Sequence, residues 1–152
     1  MWGILILINT NVGKILELIP ILSLLDLFNK NVIRCRVIMF CERLKNPYKG
    51  LSNLVGGKIE DGEKGIDAAY RELLEETNIS RREITLHHLM DFEYYFQDCY
   101  VEVYVGRLKR GVSFSDDEII LYWSNLDNNF FNMSLYTGEG NIGHMIEQIN
   151  FV

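Results

Sequence analysis

The sequence predicts an α/β (α+β) chain, and three observations lead there. An acidic, helix-favouring segment follows a glycine-bearing loop between residues 57 and 79. Runs rich in Val, Ile, Tyr and Phe at 32–43, 84–96 and 100–108 suit strands. A second apolar-periodic segment opens at Gly140-Asn141 and reads as a closing helix.

Residues 1–20 carry GILILI, NTNVG and KILELI, which read either as two strands around a turn or as a helix ending near Pro20. They are treated as an N-terminal extension of unclear role, a peripheral element or strand packed on a single domain spanning 21–152. ILSLLDLF (21–28) reads as a buried strand, and the Asn29-Lys30-Asn31 turn leads into VIRCRVIMFCER (32–43). Alternation there places Ile33, Cys35, Val37 and Met39 on one face, with Arg34 and Arg36 on the other. Asn46, Pro47 and Gly50 mark a loop.

From Ala68 to Thr77 nothing breaks a helix. Ile66, Ala69, Tyr70, Leu73 and Thr77 recur at three- and four-residue steps and should pack inward. Lys64 and Gly65 provide no side-chain cap, so Glu63 and Asp67 are expected to compensate the positive helix end. ITLHHLMDFEYYF and YVEVYVGRL then form an antiparallel pair around Gln97-Asp98-Cys99. Adjacent His87 and His88 face opposite sides of their strand and cannot chelate one metal together, which favours structural roles. SDDEIILYW (115–123) is an acidic turn entering a short strand, and Ile142, Met145, Ile146 and Ile149 line the closing helix.

Of the 152 residues, 48% are hydrophobic and 24% charged, which suits one ordinary globular domain. The net charge of -6 argues against a nucleic-acid polymer or an acidic membrane as partner. Cys35, Cys41 and Cys99 are odd in number and lack zinc-type spacing, so a reduced, cytoplasmic setting is expected. The apolar run Ile4–Ile8 stops far short of the roughly 20 residues a membrane helix needs. No positive charge precedes it as a signal peptide would require.

Glu72, Glu75 and Glu76 lie at i, i+3 and i+4, where like charges repel unless a cation sits among them. A solvated acidic face is the competing reading. The context favours the cation: Arg71 can hold carboxylates in a bidentate fork, and Gly56, Gly57 and Gly62 let backbone approach a ligand. Mg²⁺ is the hard cation that such a site shares with substrate phosphates, with Mn²⁺ as a substitute.

Gly57, Glu63, Arg71, Glu72, Leu73, Glu75, Glu76 and Ile79 resemble the Nudix box, with Asn78 standing where that family has glycine. Asparagine is the next-best residue for the left-handed conformation that ends a helix. The tryptophan and proline that often precede the box are absent from Ser52–Gly57. The resemblance implies the Nudix fold, a mixed β-sheet sandwiched between α-helices. It also implies Mg²⁺-dependent hydrolysis of a nucleoside diphosphate linked to a variable group.

Under that resemblance Gly57, Glu72, Glu75, Glu76 and Glu118 (with Asp117 as substitute) would bind metal. Glu72 would accept a proton or position water, and Arg71 and Glu63 would order the loop. Asn141 matches the residue that reads the purine in MutT-like members, although helix capping competes for it. Gly56 and Tyr94 are further substrate-site candidates. The favoured substrate is a (d)NTP or oxidised purine dNTP. Tyr94 and Tyr95 support a dinucleoside polyphosphate alternative, a nucleotide sugar is a further alternative substrate, and a non-catalytic nucleotide-sensing module is the third reading. A homodimer is compatible with the sequence.

Overall fold

The computed structural model describes residues 2–9, 37–95, 98–108 and 120–149. Along them run β1 (Trp2–Asn9), β2 (Val37–Glu42), β3 (Ser52–Asn53), β4 (Val55–Lys58) and α1 (Gly65–Thr77). β5 (Ile84–Tyr94), β6 (Cys99–Leu108), β7 (Ile120–Asn125) and α2 (Asn141–Glu147) follow. The sequence-predicted strand at 21–28, the turn at 29–31 and Cys35 lie outside the described residues, as do Asp117 and Glu118.

The strands join in one mixed sheet of order β3-β2-β1-β6-β5, with β4 added on β1 and β7 on β2. β1 pairs parallel with β6, while its other edge is shared between β4 (Trp2 to Leu5) and β2 (Ile8 and Asn9). A peripheral position for this strand is therefore corrected. Pairing on both edges gives the backbone of GILILI hydrogen-bonding partners that an apolar strand at the rim would lack.

α1 covers one face of the sheet and α2 the other. Ala69, Leu73 and Ile79 pack with Met39, Val55, Ile84 and Leu86. Ile142, Met145 and Ile146 pack with Ile38, Phe40, Val103 and Phe130. Consecutive residues Ile38 to Cys41 are all buried, with Ile38 and Phe40 in one cluster and Met39 in the other. One buried face was the expectation for this strand; a layer on each side of the sheet buries both. Each fully buried large apolar side chain contributes about 1.5–3 kcal/mol relative to exposure.

α1 begins three residues before the helix-favouring stretch and ends where expected. Asn78 takes φ 58° and its amide donates to the Leu74 carbonyl, so asparagine supplies the left-handed cap. The inward face is as its periodicity demands: Ala69, Leu73 and Thr77 are buried, with Ile66 and Tyr70 packed beside them. Tyr70 also fixes the helix to β5, its hydroxyl accepting the Leu86 amide at 2.9 Å while Arg81 stacks over its ring at 4.2 Å. A β-bulge between His88 and Met90 interrupts the β5–β6 ladder.

Candidate active site

The site grows from the way α1 lies on β4. A β-carbon at Gly57 would fall 2.2 Å from the Glu72 carboxyl carbon, so glycine is required for the helix to approach this closely. One turn further along, Glu76 reaches the same strand, its Oε2 accepting the Gly56 amide at 3.2 Å. Burial pushes the Glu76 carboxyl up to about 7; Glu72 and Glu75 push the same way, while the Gly56 amide and Arg43 oppose them.

Arg71 organises the acids around it. Nε donates to Glu63 Oε1 at 3.1 Å and Nη2 to Glu63 Oε2 at 3.0 Å, a bidentate fork. Nη1 donates to Glu72 Oε1 at 2.7 Å and to Glu75 Oε2 at 3.4 Å. Nη2 also reaches the Lys58 carbonyl at 3.0 Å, and the Glu60 amide donates to Glu63, so one guanidinium fastens the loop after β4. Its hydrogen bond holds the Glu63 carboxyl below the usual glutamate range. Glu63 and Glu72 hold the guanidinium firmly charged.

The donor set fits a hard divalent cation in kind. Arg71 is shared among three carboxylates, so the cluster stays net negative, and a fourth, Glu76, is half-buried beside it. Among the described residues, however, no three His, Cys, Asp or Glu side chains already converge as a ligand set.

The remaining candidates sit around the loop before α2. Gly140, not Asn141, is the N-cap of α2, and no side chain caps that end. Capping is therefore corrected as the role of Asn141, which is the first residue of the helix proper. Gly138, Glu139 and Gly140 all have positive φ, and the Tyr94 hydroxyl donates to Glu139 Oε2. The same loop is stitched to β3: the Thr137 amide donates to the Ser52 carbonyl at 2.9 Å and its hydroxyl to Asn53 Oδ1 at 2.8 Å. Residues 52–57 thus touch the α2 loop at one end and the acids of α1 at the other.

Sequence reading passed over Arg43 and Glu139. Arg43 follows β2 and lies near enough to Glu76 to lower its pKa; its only signal was a charge closing an apolar strand. Glu139 stands between two glycines in a tight loop, a pattern visible in the chain whose chemistry depends on Tyr94 from a distant strand.

A family model described as the NUDIX domain matches residues 23–131, well over half of the chain. The chain belongs to the NUDIX family. It is accordingly a Nudix hydrolase, an enzyme acting on phosphorus-containing anhydrides.

Solved structures resemble it in fold at low identity. A C. elegans Ap4A hydrolase in a binary complex aligns with TM-score 0.66 and 17% identity, covering 97% of this chain and 94% of that one. The NUDIX domain of Shewanella oneidensis NrtR, complexed with ADP ribose, aligns with TM-score 0.63 and 14% identity, covering 97% and 83%. A MutT/nudix family protein from Enterococcus faecalis reaches TM-score 0.53 and 20% identity, covering 84% of this chain but 44% of its own. No curated protein matches the sequence.

The Nudix fold expected from the box is thus the fold observed, with α1 and α2 on opposite sheet faces. None of the helices among the described residues is long and apolar enough to cross a membrane. Cys41 and Cys99 are free thiols, Cys41 buried and pushed up to about 11 chiefly by that burial. Burial of this kind suits a packing role.

Proposed function

We propose that this Nudix hydrolase cleaves the pyrophosphate bond of a (d)NTP or oxidised purine dNTP, releasing a nucleoside monophosphate and pyrophosphate with Mg²⁺ as cofactor. The observation that carries the reading is the Arg71 fork, which gathers Glu63, Glu72 and Glu75 beside the Gly56-bonded Glu76. Glu72, Glu75, Glu76 and the Gly57 carbonyl would hold the cation. When bound, such an ion supplies Lewis acidity that neutralises phosphate oxygens during attack by water.

The protein's own groups do the rest. Glu72 accepts a proton at Oε2, the oxygen that Arg71 does not engage, or positions the attacking water there. Arg71 and Glu63 keep the loop after β4 in place so that Gly57 stays against Glu72. Arg43 supplies positive charge for the substrate phosphates at the end of β2. Asn141, free of capping duty, reads the base, and the stretch from Asn53 to Gly57, on the order of 13 Å if extended, links base and phosphate ends.

A second substrate reading is a dinucleoside polyphosphate. The contact of Tyr94 with Glu139 favours it, since it places an aromatic side chain from β5 beside the α2 loop, where a second base could stack. The similarity in fold to an Ap4A hydrolase points the same way. Phosphate and nucleotide release from a panel of oxidised dNTPs, ADP-ribose and diadenosine polyphosphates, with and without Mg²⁺, decides between them. Oxidised dNTPs are expected to lead; inactivity of the whole panel at any Mg²⁺ concentration would sink the proposal.

A further inference from the structure

We propose that Glu102, held by Tyr104 and seated on Gly65, is a positioning residue that sets where α1 carries Glu72, Glu75 and Glu76 along the sheet. The proposal rests on the hydrolase reading for its consequence and on geometry for its substance.

Gly65 is the first residue of α1, and a β-carbon there would fall 1.7 Å from Glu102 Oε2 and 2.7 Å from the Tyr104 hydroxyl oxygen. The carboxylate from β6 therefore lies directly against the helix entry. Tyr104 Oη donates to the same Oε2 at 2.6 Å, and Tyr104 is itself buried, so the acid is held from below. His88 packs edge-on against the Tyr104 ring at 5.5 Å and bonds Asp91 at 2.6 Å, which confines the tyrosine on its outer side. The bulge between His88 and Met90 lies within this arrangement.

The helix entry has need of such a contact. Its N-cap, Lys64, makes no side-chain cap bond. Asp67, the acid of the first turn, is engaged by Arg81 at 2.5 Å. Glu102 brings a second negative charge to the positive helix end from the sheet.

The contact also mirrors the one at the active site. At Gly57 a helix acid, Glu72, presses on a strand glycine; at Gly65 a strand acid, Glu102, presses on a helix glycine. Two such contacts, two helical turns apart, fix both the height of α1 above the sheet and its position along its own axis. Sliding the helix would break both together. The spacing of the box carboxylates is a local property of α1, but their position over Gly56 and Gly57 depends on this second contact.

The test is hydrogen–deuterium exchange on the full chain without added Mg²⁺, paired with the Mg²⁺ concentration that gives half-maximal hydrolysis. Glu102→Ala is expected to speed exchange of amides 66–69 by about tenfold while β5 and β6 amides stay unchanged. It should raise the half-activating Mg²⁺ by a similar factor, a shift that mere loss of folded protein would not produce. Glu102→Gln, still able to accept the Tyr104 hydroxyl, should stay within about threefold of wild type on both readouts.

Unchanged exchange at 66–69 in Glu102→Ala, or equal acceleration in α1 and β6, overturns the proposal. Should that variant fail to fold, Tyr104→Phe keeps the carboxylate but removes its anchor. Its exchange at 66–69 must then rise by about threefold, and no rise overturns the proposal. A wild type that hydrolyses nothing, with the exchange response intact, refutes the hydrolase reading and supports the positioning role.

Discussion

The sheet face under α1 and the face under α2 hold their helices by different chemistry. Under α1, carboxylates press on glycines and one guanidinium serves three acids at the edge of an apolar patch. Under α2 lies an aromatic cluster, with Phe40 5.5 Å from Phe130, 5.2 Å from Tyr136 and 6.0 Å from Tyr122, on which Ile142, Met145 and Ile146 of the helix pack. The first face carries the charges that chemistry on a diphosphate needs, and like-charge repulsion there opposes stability. The second gains stability from burial and carries the loop that would meet the base under the proposed function. If the proposed function holds, catalysis and most of the aromatic packing lie on opposite sides of one sheet.

The sharpest way to break that division is to damage each side alone. Phe40→Ala, removing a fully buried ring, should cost about 3–5 kcal/mol of stability while the remaining folded molecules turn over normally. Chemical denaturation and kcat per folded molecule check it. Glu76→Gln should do the reverse. Activity should fall at least ~100-fold, the scale of losing a catalytic electrostatic contact, with melting temperature unchanged or higher because a crowded, half-buried charge is gone. Normal turnover by this variant would remove Glu76 from the proposed cation site.

A smaller effect is expected at the α2 loop. Asn141→Ala should raise KM by about three- to tenfold, roughly 1 kcal/mol of lost hydrogen bonding. It should leave kcat and the melting temperature alone, since Gly140 caps α2. A drop in stability instead would mean the asparagine serves the fold.

The mildest prediction concerns acid. Arg71 depresses the Glu63 carboxyl, so the unfolded chain binds this proton more readily than the folded one. The stabilisation is present above the ordinary glutamate range and is lost as pH falls through the lowered value. Melts between pH 6 and 3, roughly bracketing the unperturbed carboxyl near 4.3, should show a shallower acid decline in Glu63→Gln.

Legibility followed the same line between the faces. The box acids could be read because a helix repeats every 3.6 residues, so spacing along the chain is also spacing in space. Asn78 could be read as a left-handed terminus for a similarly local reason, and it is one. The strand from Trp2 to Asn9 was misplaced because nothing in an apolar run tells which strands will flank it. For Asn141, capping competed with base reading because asparagine favours that place; Gly140 takes the cap instead, in a left-handed conformation that suits glycine.

By itself, then, the chain determined the two helices, the β5–β6 hairpin and the order of acids around Arg71, all of them interactions within a few turns or one hairpin. Tertiary structure decided what lies across from those elements: β1 inside the sheet, Glu102 on Gly65, Tyr94 on Glu139 and Thr137 on Asn53. Those pairs are joined by packing between distant segments, and packing depends on the shape of both partners at once, which no single stretch of sequence contains.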